Sequence, residues 1–414
     1  MKKLLKTKLF SNAFIFTISS ILNKGINFLI LPVLTHYLTK DDYGHLGFVV
    51  SVVAITSIYI GLWPQNFIMT KFISFGREKL SRYMSNIFLI VMITFLLVEG
   101  VMFVSKDLLF NNFDNSNQLI FLIGVYTLFV VIFNIFNIIA QMEKNAIRYA
   151  FFQFFYLSLS LSLALFLIIK LNFDWKGKFY SELFILFFIT IYSFYFFIKN
   201  RYLTFDIDIK KIKEIVVFLF PLTFSIVSLF LISTTDKIIL AKYLDMQSVG
   251  IYTIAMTMAI VINIIFDSVI NAWSPYFFEK VDSDKKEDKR FLKLSMIYYG
   301  IFVVISALLY ILIVPYIFHI MIDAKFNSSL EYIPYLVVGF AFEGLRKPLN
   351  SFLMHKNKVN ILASLSLVIA FLNIVLNIFL IQKFQIFGAT YATIFSFALF
   401  YILTLVLVFR YYRF

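Results

Sequence analysis

Four groups of polar residues stand inside long apolar runs, and their spacing decides what chemistry is open to them. Thr17, Ser20, Lys24 and Asn27 follow one another at intervals of 3, 4 and 3 residues, which places them on one face of a helix. Glu343 reaches both Arg346 and Lys347 by i,i+3 and i,i+4 geometry, and the trio keeps one positive charge beyond what it neutralises. Pro348 follows and is expected to bend the helix there. Ser233-Thr234-Thr235-Asp236-Lys237 closes a third run, with Asn263, Asp267 and Asn271 four apart in the next one. Asn373 and Asn377 repeat that spacing, and Thr390 and Thr393 open the run after them.

Each group has a functional reading and a structural one. Lys24 lies too deep in its run to reach the surface by extending its chain. With Asn27 beside it, Lys24 either holds an anion in a water-filled cavity or pairs with a carboxylate on another helix. Arg346 and Lys347 next to a bent helix either hold a phosphate or anchor the helix at the interface. Asp236, Asp267 and Glu343 are ion-pair partners or carriers of a coupling ion. Asp236 with the oxygens of Asn373, Asn377 and Thr393 would offer an all-oxygen set to Na+, a hard cation. Hydrogen bonding between helices is the alternative for the amides and hydroxyls.

The elements that position these residues follow from composition. Of 414 residues, 61% are hydrophobic and 14% charged. A soluble fold of that length cannot bury so much apolar surface, so the solvent is a bilayer. One span takes about 20 apolar residues. Breaks at charged and turn-rich segments give twelve spans: 9–34, 46–70, 85–105, 118–140, 151–170, 181–198, 215–240, 249–273, 292–318, 332–354, 361–381 and 389–409. Met1-Lys2-Lys3-Leu4-Leu5-Lys6 is like the start of a signal peptide, but the run behind it is long, carries Lys24 and lacks a small-residue cleavage site. It is read as a retained first helix. There is no cysteine, which excludes disulfides and thiolate metal sites. Aromatic clusters such as Phe151-Phe152-Gln153-Phe154-Phe155-Tyr156 are read as lipid-facing packing.

Two features organise the spans. Leu34, Tyr37-Leu38 and Gly44 return as Leu240, Tyr243-Leu244 and Gly250, 206 residues later. Met142-Glu143-Lys144-Asn145 is echoed by Met354-His355-Lys356-Asn357, and Trp63-Pro64-Gln65 by Trp273-Ser274-Pro275, where the prolines are expected to break their helices. The chain therefore reads as two halves of six spans, and an even number makes the repeats parallel. The expected division is an N-lobe over 1–200, a cytoplasmic linker over 201–214 and a C-lobe over 215–414. Within the linker, Ile207–Lys213 suits an interfacial helix. Charge orients the whole. Of 37 Lys and Arg, 25 fall in the segments on one side and 9 on the other, which puts both termini in the cytoplasm. The net charge of +14 thus encodes topology, not nucleic-acid binding.

Catalysis finds little support. Asp206-Ile207-Asp208 spells DxD and Asp41-Asp42 is an acidic pair, but both lie in short loops with no domain to hold a sugar nucleotide. His36, His45, His319 and His355 show no metal-ligand spacing.

Leu31-Pro32-Val33-Leu34-Thr35-His36-Tyr37-Leu38 with Tyr43-Gly44, and Thr235-Asp236-Lys237-Ile238-Ile239-Leu240-Ala241-Lys242-Tyr243-Leu244 with Val249-Gly250, resemble the Wzx-type polysaccharide and O-antigen flippases. These belong to the multidrug/oligosaccharidyl-lipid/polysaccharide exporter superfamily. The resemblance implies an all-α membrane protein with two six-helix lobes around a central cationic cavity in the bacterial plasma (inner) membrane. It implies a non-enzymatic flippase for undecaprenyl-pyrophosphate-linked oligosaccharide, serving O-antigen, lipopolysaccharide or capsule, working by alternating access beside a polymerase and glycosyltransferases. Lys24 resembles the basic cavity residue of the related lipid II flippases. Asp236, Asn373, Asn377 and Thr393 resemble their sodium site, except that one carboxylate there is an amide here. That departure leaves Na+, a proton or no coupling ion open. A drug or metabolite antiporter and a lipid II flippase are the alternatives within the superfamily, and a membrane glycosyltransferase or polymerase the alternative outside it.

Overall fold

The computed structural model describes residues 28–411 apart from Asn112, Asp114, Phe205 and Asp284, together with Ile15, Gly25 and Ile26. Most of the first expected span, with Thr17, Ser20, Lys24 and Asn27, lies outside the described residues.

Apolar runs in a bilayer must close their backbone hydrogen bonds within themselves, and helices do so. The described chain is accordingly helices joined by short turns, with no strand among the described residues. The helices are α1 Leu31–Tyr37, α2 Lys40–Tyr59, α3 Gln65–Val104, α4 Lys106–Leu109, α5 Ser116–Met142, α6 Ala146–Leu171 and α7 Trp175–Lys199. They continue as α8 Ile209–Tyr243, α9 Met246–Lys280, α10 Lys286–Met321, α11 Ile333–His355, α12 Val359–Phe384 and α13 Ile386–Tyr411, with 3-10 turns at Ile60–Leu62 and Ala324–Glu331. The second to twelfth expected spans all fall on these helices.

Three sequence expectations change. The segment Lys71–Arg82, expected as a loop between spans, is helical within α3 and interrupted only at Gly76. There φ is +66° and ψ is 175°, a conformation that glycine alone adopts cheaply. Pro64 does stand at a break, because Gly61, Leu62 and Trp63 all have positive φ. Pro275 does not: α9 runs through it to Lys280. α11 likewise continues through Pro348 to His355. A proline leaves the carbonyl four residues earlier without its helical donor. For Pro348 that carbonyl belongs to Gly344, and it accepts from the Tyr299 hydroxyl at 3.1 Å. The neighbouring helix thus replaces the bond that the proline removes.

The chain forms two compact units. The first comprises Met1–Asp42 and Val49–Ile226, the second Tyr43–Phe48 and Val227–Phe414. The division falls inside α8, beyond residue 214. In the first unit, α3 packs on α5, and α7 on α5 and α6, over Phe67, Ile87, Val131, Phe136 and Phe197. The segment between α7 and α8 is tied to α3. Asn86 donates to the Asp206 carbonyl and accepts from the Asp208 N–H, both at 2.9 Å. Lys211, on the expected interfacial helix, turns to Asp206 at 2.6 Å and holds that carboxyl below its usual range, while Lys210 and Lys213 stay exposed. In the second unit α11 packs against α9, α10 and α13, and α13 also against α12.

The repeat is visible in the helix ends. α1 stops at Tyr37 and α2 starts at Lys40; α8 stops at Tyr243 and α9 starts at Met246, 206 residues on in both cases. The N-caps correspond too. Thr39 accepts from the Asp42 N–H, and Asp245 from the Ser248 N–H. Gly44 explains one conserved-looking letter of the motif within this chain: a Cβ there would overlap the Met246 carbonyl oxygen, a backbone atom that cannot swing aside. Gly44→Ala is expected to destabilise the protein by about 1–3 kcal/mol through overpacking. Thermal melting in detergent checks this, and a midpoint equal to that of the unsubstituted protein would contradict it.

Candidate functional site

The candidate site lies in the second unit and is built from α8, α9, α11, α12 and α13. On α11, the Arg346 fork grips Glu343 through Nε to Oε2 at 2.8 Å and Nη2 to Oε1 at 2.6 Å. Its remaining Nη1 donates to Asn350 Oδ1 at 2.9 Å, and the guanidinium lies 3.9 Å from the centroid of the Phe400 ring. Side-chain exposures of 5% for Arg346 and 14% for Glu343 make this a buried ion pair. Lys347 turns the other way. It pairs with Asp267 on α9 and donates to the Asn263 carbonyl at 3.3 Å.

This pairing alters the charge pattern expected from the sequence. Glu343 was placed within reach of both cations, leaving one spare positive charge beside a helix break. In the structure the helix is continuous, Glu343 serves Arg346, and Asp267 serves Lys347, so the cluster is neutral. The reason is tertiary: α9 brings a carboxylate to Lys347 that helical spacing on α11 does not reveal.

The positive charge left over is elsewhere. A cavity of about 470 Å³ opens among α8, α9, α11 and α13, lined by Ser233, Thr234, Lys237, Thr257, Asn263, Glu343 and Arg346 together with Ile232, Met256, Ile260, Phe340, Phe397 and Phe400. Lys237 makes no close ion pair among the described residues, and its charge acts on the buried Asp236 carboxyl beside it. Asn263 Oδ1 is buried and has no hydrogen-bond partner. The lining thus carries Lys237 and Arg346 against a single Glu343, with aromatic rings on one side. Such a site can take an anionic group carrying polar substituents.

Asp236, one residue before Lys237, is fully buried and faces away from water. It accepts from the Tyr252 hydroxyl on α9 and from the Lys237 N–H at 2.8 Å. Tyr252 is itself fully buried, and the Thr393 hydroxyl on α13 donates to the Ala389 carbonyl at 3.0 Å. On α12, Asn377 Nδ2 donates to Asn373 Oδ1 at 3.0 Å, and Asn373 Nδ2 to Ser396 Oγ at 3.0 Å. Asn377 Oδ1 is buried without a donor. Asp236, Asn373, Asn377 and Thr393 therefore all belong to the buried polar interior of one unit. Among the described residues no three His, Cys, Asp or Glu gather around a point. One carboxylate, an orphan amide oxygen and a hydroxyl suit a hard monovalent cation, not a transition metal.

Sequence reasoning missed Tyr252, the spare charge on Lys237 and the stacking of Arg346 on Phe400. No spacing rule finds Tyr252, sixteen residues from Asp236 and on another helix. In the sequence Lys237 stands as a candidate ion-pair partner of Asp236, with no sign that it lines a cavity.

Comparison with known proteins bears on this arrangement at three levels. A family model described as polysaccharide biosynthesis protein matches residues 9–281. The Lsg locus protein 1 of Haemophilus influenzae is 20% identical over 282 residues, covering 67% of this chain and 68% of that protein. Among solved structures, the lipid II flippase MurJ in an inward closed conformation superposes with a TM-score of 0.75 at 13% identity, over 95% of this chain and 87% of that one. An inward-facing multidrug resistance MATE family transporter of the MOP superfamily gives 0.69 at 12% identity, over 92% and 93%. With the model matching more than half of its length, the chain belongs to the polysaccharide biosynthesis protein family, as a multi-pass membrane protein with the fold of MOP-superfamily transporters.

Proposed function

We propose that this protein is a flippase that carries undecaprenyl-pyrophosphate-linked oligosaccharide from the inner to the outer leaflet of a bacterial plasma membrane, for O-antigen, capsule or another surface polysaccharide. The observation that carries this reading is the cavity of the second unit, whose lining holds Lys237 and Arg346 against the single Glu343. Arg346 presents its charge at the same wall while Glu343 and Phe400 hold it in place. Lys347 and Asp267 brace α11 against α9. Lys24 and Asn27 keep the same headgroup role in the N-terminal half on the strength of their sequence spacing. The lipid tail stays in the bilayer, and only the charged, hydroxyl-rich headgroup needs a polar path.

Family membership favours polysaccharide over the two alternatives in the superfamily. A lipid II flippase handles the same pyrophosphate chemistry, so only the glycan separates it. A drug antiporter is less suited, because a cationic drug would meet two cations in the lining, Lys237 and Arg346, against the single Glu343. We assign no catalytic step. Asp236, Asn373, Asn377 and Thr393 would hold Na+ in the second unit, and that ion would supply the free energy of its gradient to transport.

Complementation tests the cargo. In a strain lacking its own polysaccharide flippase, the chain is expected to restore surface glycan. Restoration of drug efflux with no surface glycan at normal expression would contradict the reading. In vesicles, flipping is expected to rise with a Na+ gradient and to lose that response in Asp236→Asn; indifference of the unsubstituted protein to Na+ would remove the sodium assignment and leave the cargo standing.

A further inference from the structure

Glu99 is an acid that the site above does not use. It lies on α3 in the run Leu96-Leu97-Val98-Glu99-Gly100-Val101, within the third expected span. The residue is 8% exposed, and neither carboxyl oxygen has a hydrogen-bond partner. α5 closes over it. A Cβ at Gly124 would overlap Glu99 Oε2 and stand 2.7 Å from its Cδ, so the carboxyl occupies a slot that exists because position 124 has no side chain.

The contrast with the other buried acids is sharp. Glu343 has Arg346, and Asp236 has Tyr252 and a backbone N–H. α5 meets Glu99 through Gly124, and α3 as a whole also packs against α4 and the turn Ile60–Leu62. Their titratable groups are Tyr126 on α5 and Lys106 and Asp107 on α4. Tyr126 donates to Glu182 at 2.8 Å, and neither Lys106 nor Asp107 makes an ion pair or hydrogen bond with Glu99. On α3 itself the nearest titratable group is Tyr83, about 24 Å down the helix at 1.5 Å per residue.

An ionised carboxylate buried in a span with no partner is far costlier than a neutral carboxylic acid in the same place. We propose that Glu99 is a proton-binding site of the first unit, holding its proton while α3 and α5 are packed and giving it to water when the seam opens. The O–H bond breaks, the proton passes to a water molecule, and the carboxylate left behind is stabilised by hydration. The ligand is a proton, and the gate is the Glu99–Gly124 contact.

The test uses the full chain in lipid nanodiscs at neutral pH. Infrared spectra are expected to show a protonated-carboxyl C=O band that shifts in D2O and disappears in Glu99→Gln. Identical spectra for the two proteins would overturn the proposal. Glu99→Gln keeps the shape and neutrality of the acid, so its melting temperature is expected to match that of the unsubstituted protein at acid pH; a large loss there would also overturn it. A third arm rests on the proposed function. Flipping driven by a pH gradient is expected to fall at least about tenfold in Glu99→Gln, a loss of about 1.4 kcal/mol in driving, while flipping in equal pH persists. Equal response of both proteins to the gradient would deny Glu99 a role in coupling. If the infrared result holds and the unsubstituted protein moves no lipid-linked glycan, the transport reading fails and the proton site stands.

Discussion

Glu343→Gln is expected to destabilise the protein by about 3–5 kcal/mol, the typical effect of removing one partner from a buried ion pair. The guanidinium of Arg346 has nowhere to go. Two of its nitrogens are committed to Glu343, a third to Asn350, and its face lies on Phe400. Without Glu343 it keeps its charge in a wall that is 5% exposed at that side chain. The amide of glutamine can accept from one nitrogen but brings no charge to answer it. Arg346→Ala is expected to do comparable damage from the other side, since it also removes the ring contact. Changing both residues to apolar ones of similar size, Glu343→Leu with Arg346→Met, is expected to recover much of the loss, because neither charge is then stranded. Thermal melting in detergent reads all three variants. Equal melting of Glu343→Gln and the unsubstituted protein would show that the pair is solvated.

Lys237→Ala is expected to act mainly on function. Lys237 makes no close ion pair among the described residues, but its charge acts on the buried Asp236 carboxyl beside it, so the variant is compared at equal abundance of folded protein. What is lost is a cation for the headgroup. Hydrogen bonds to charged groups contribute about 1.5–3 kcal/mol, which corresponds to a fall in flipping of about ten- to a hundredfold. Lys237→Arg is expected to keep much of the activity, since charge is the requirement. A Lys237→Ala protein that flips at the unsubstituted rate, at equal abundance in the vesicles, would move the anion contact elsewhere.

These two variants separate what helical spacing can reveal from what it cannot. Composition and span counting located the helices because every residue of an apolar run obeys the same backbone constraint. The repeat was legible at Tyr37 and Tyr243 because a helix end and the next N-cap are local events, encoded within a few residues. The charge partners were not. Glu343 and Arg346 are neighbours on one turn, but Asp267 and Lys347 meet across 80 positions of sequence, and only packing of α9 on α11 brings them together. Once that pair forms, the spare charge moves from Lys347 to Lys237. Lys71–Arg82 shows the same limit: a run of basic residues between apolar stretches looks the same as loop or as helix, so charge counting is blind to the helix that runs through it. Glu99 is the reverse case. An acid in the middle of Leu96-Leu97-Val98 is as legible as Lys24, but with no polar residue at helical spacing it joined no group.

The decisive measurement is flipping in reconstituted vesicles. Undecaprenyl-pyrophosphate-linked oligosaccharide is placed in one leaflet and its appearance in the other is followed with an impermeant glycan-modifying reagent, for the unsubstituted chain and for Lys237→Ala. The expected result is rapid transfer by the former, and by the latter transfer near that of empty vesicles. Transfer no faster than in empty vesicles for the unsubstituted chain, or equal transfer by both proteins, would contradict a flippase that reads pyrophosphate through Lys237.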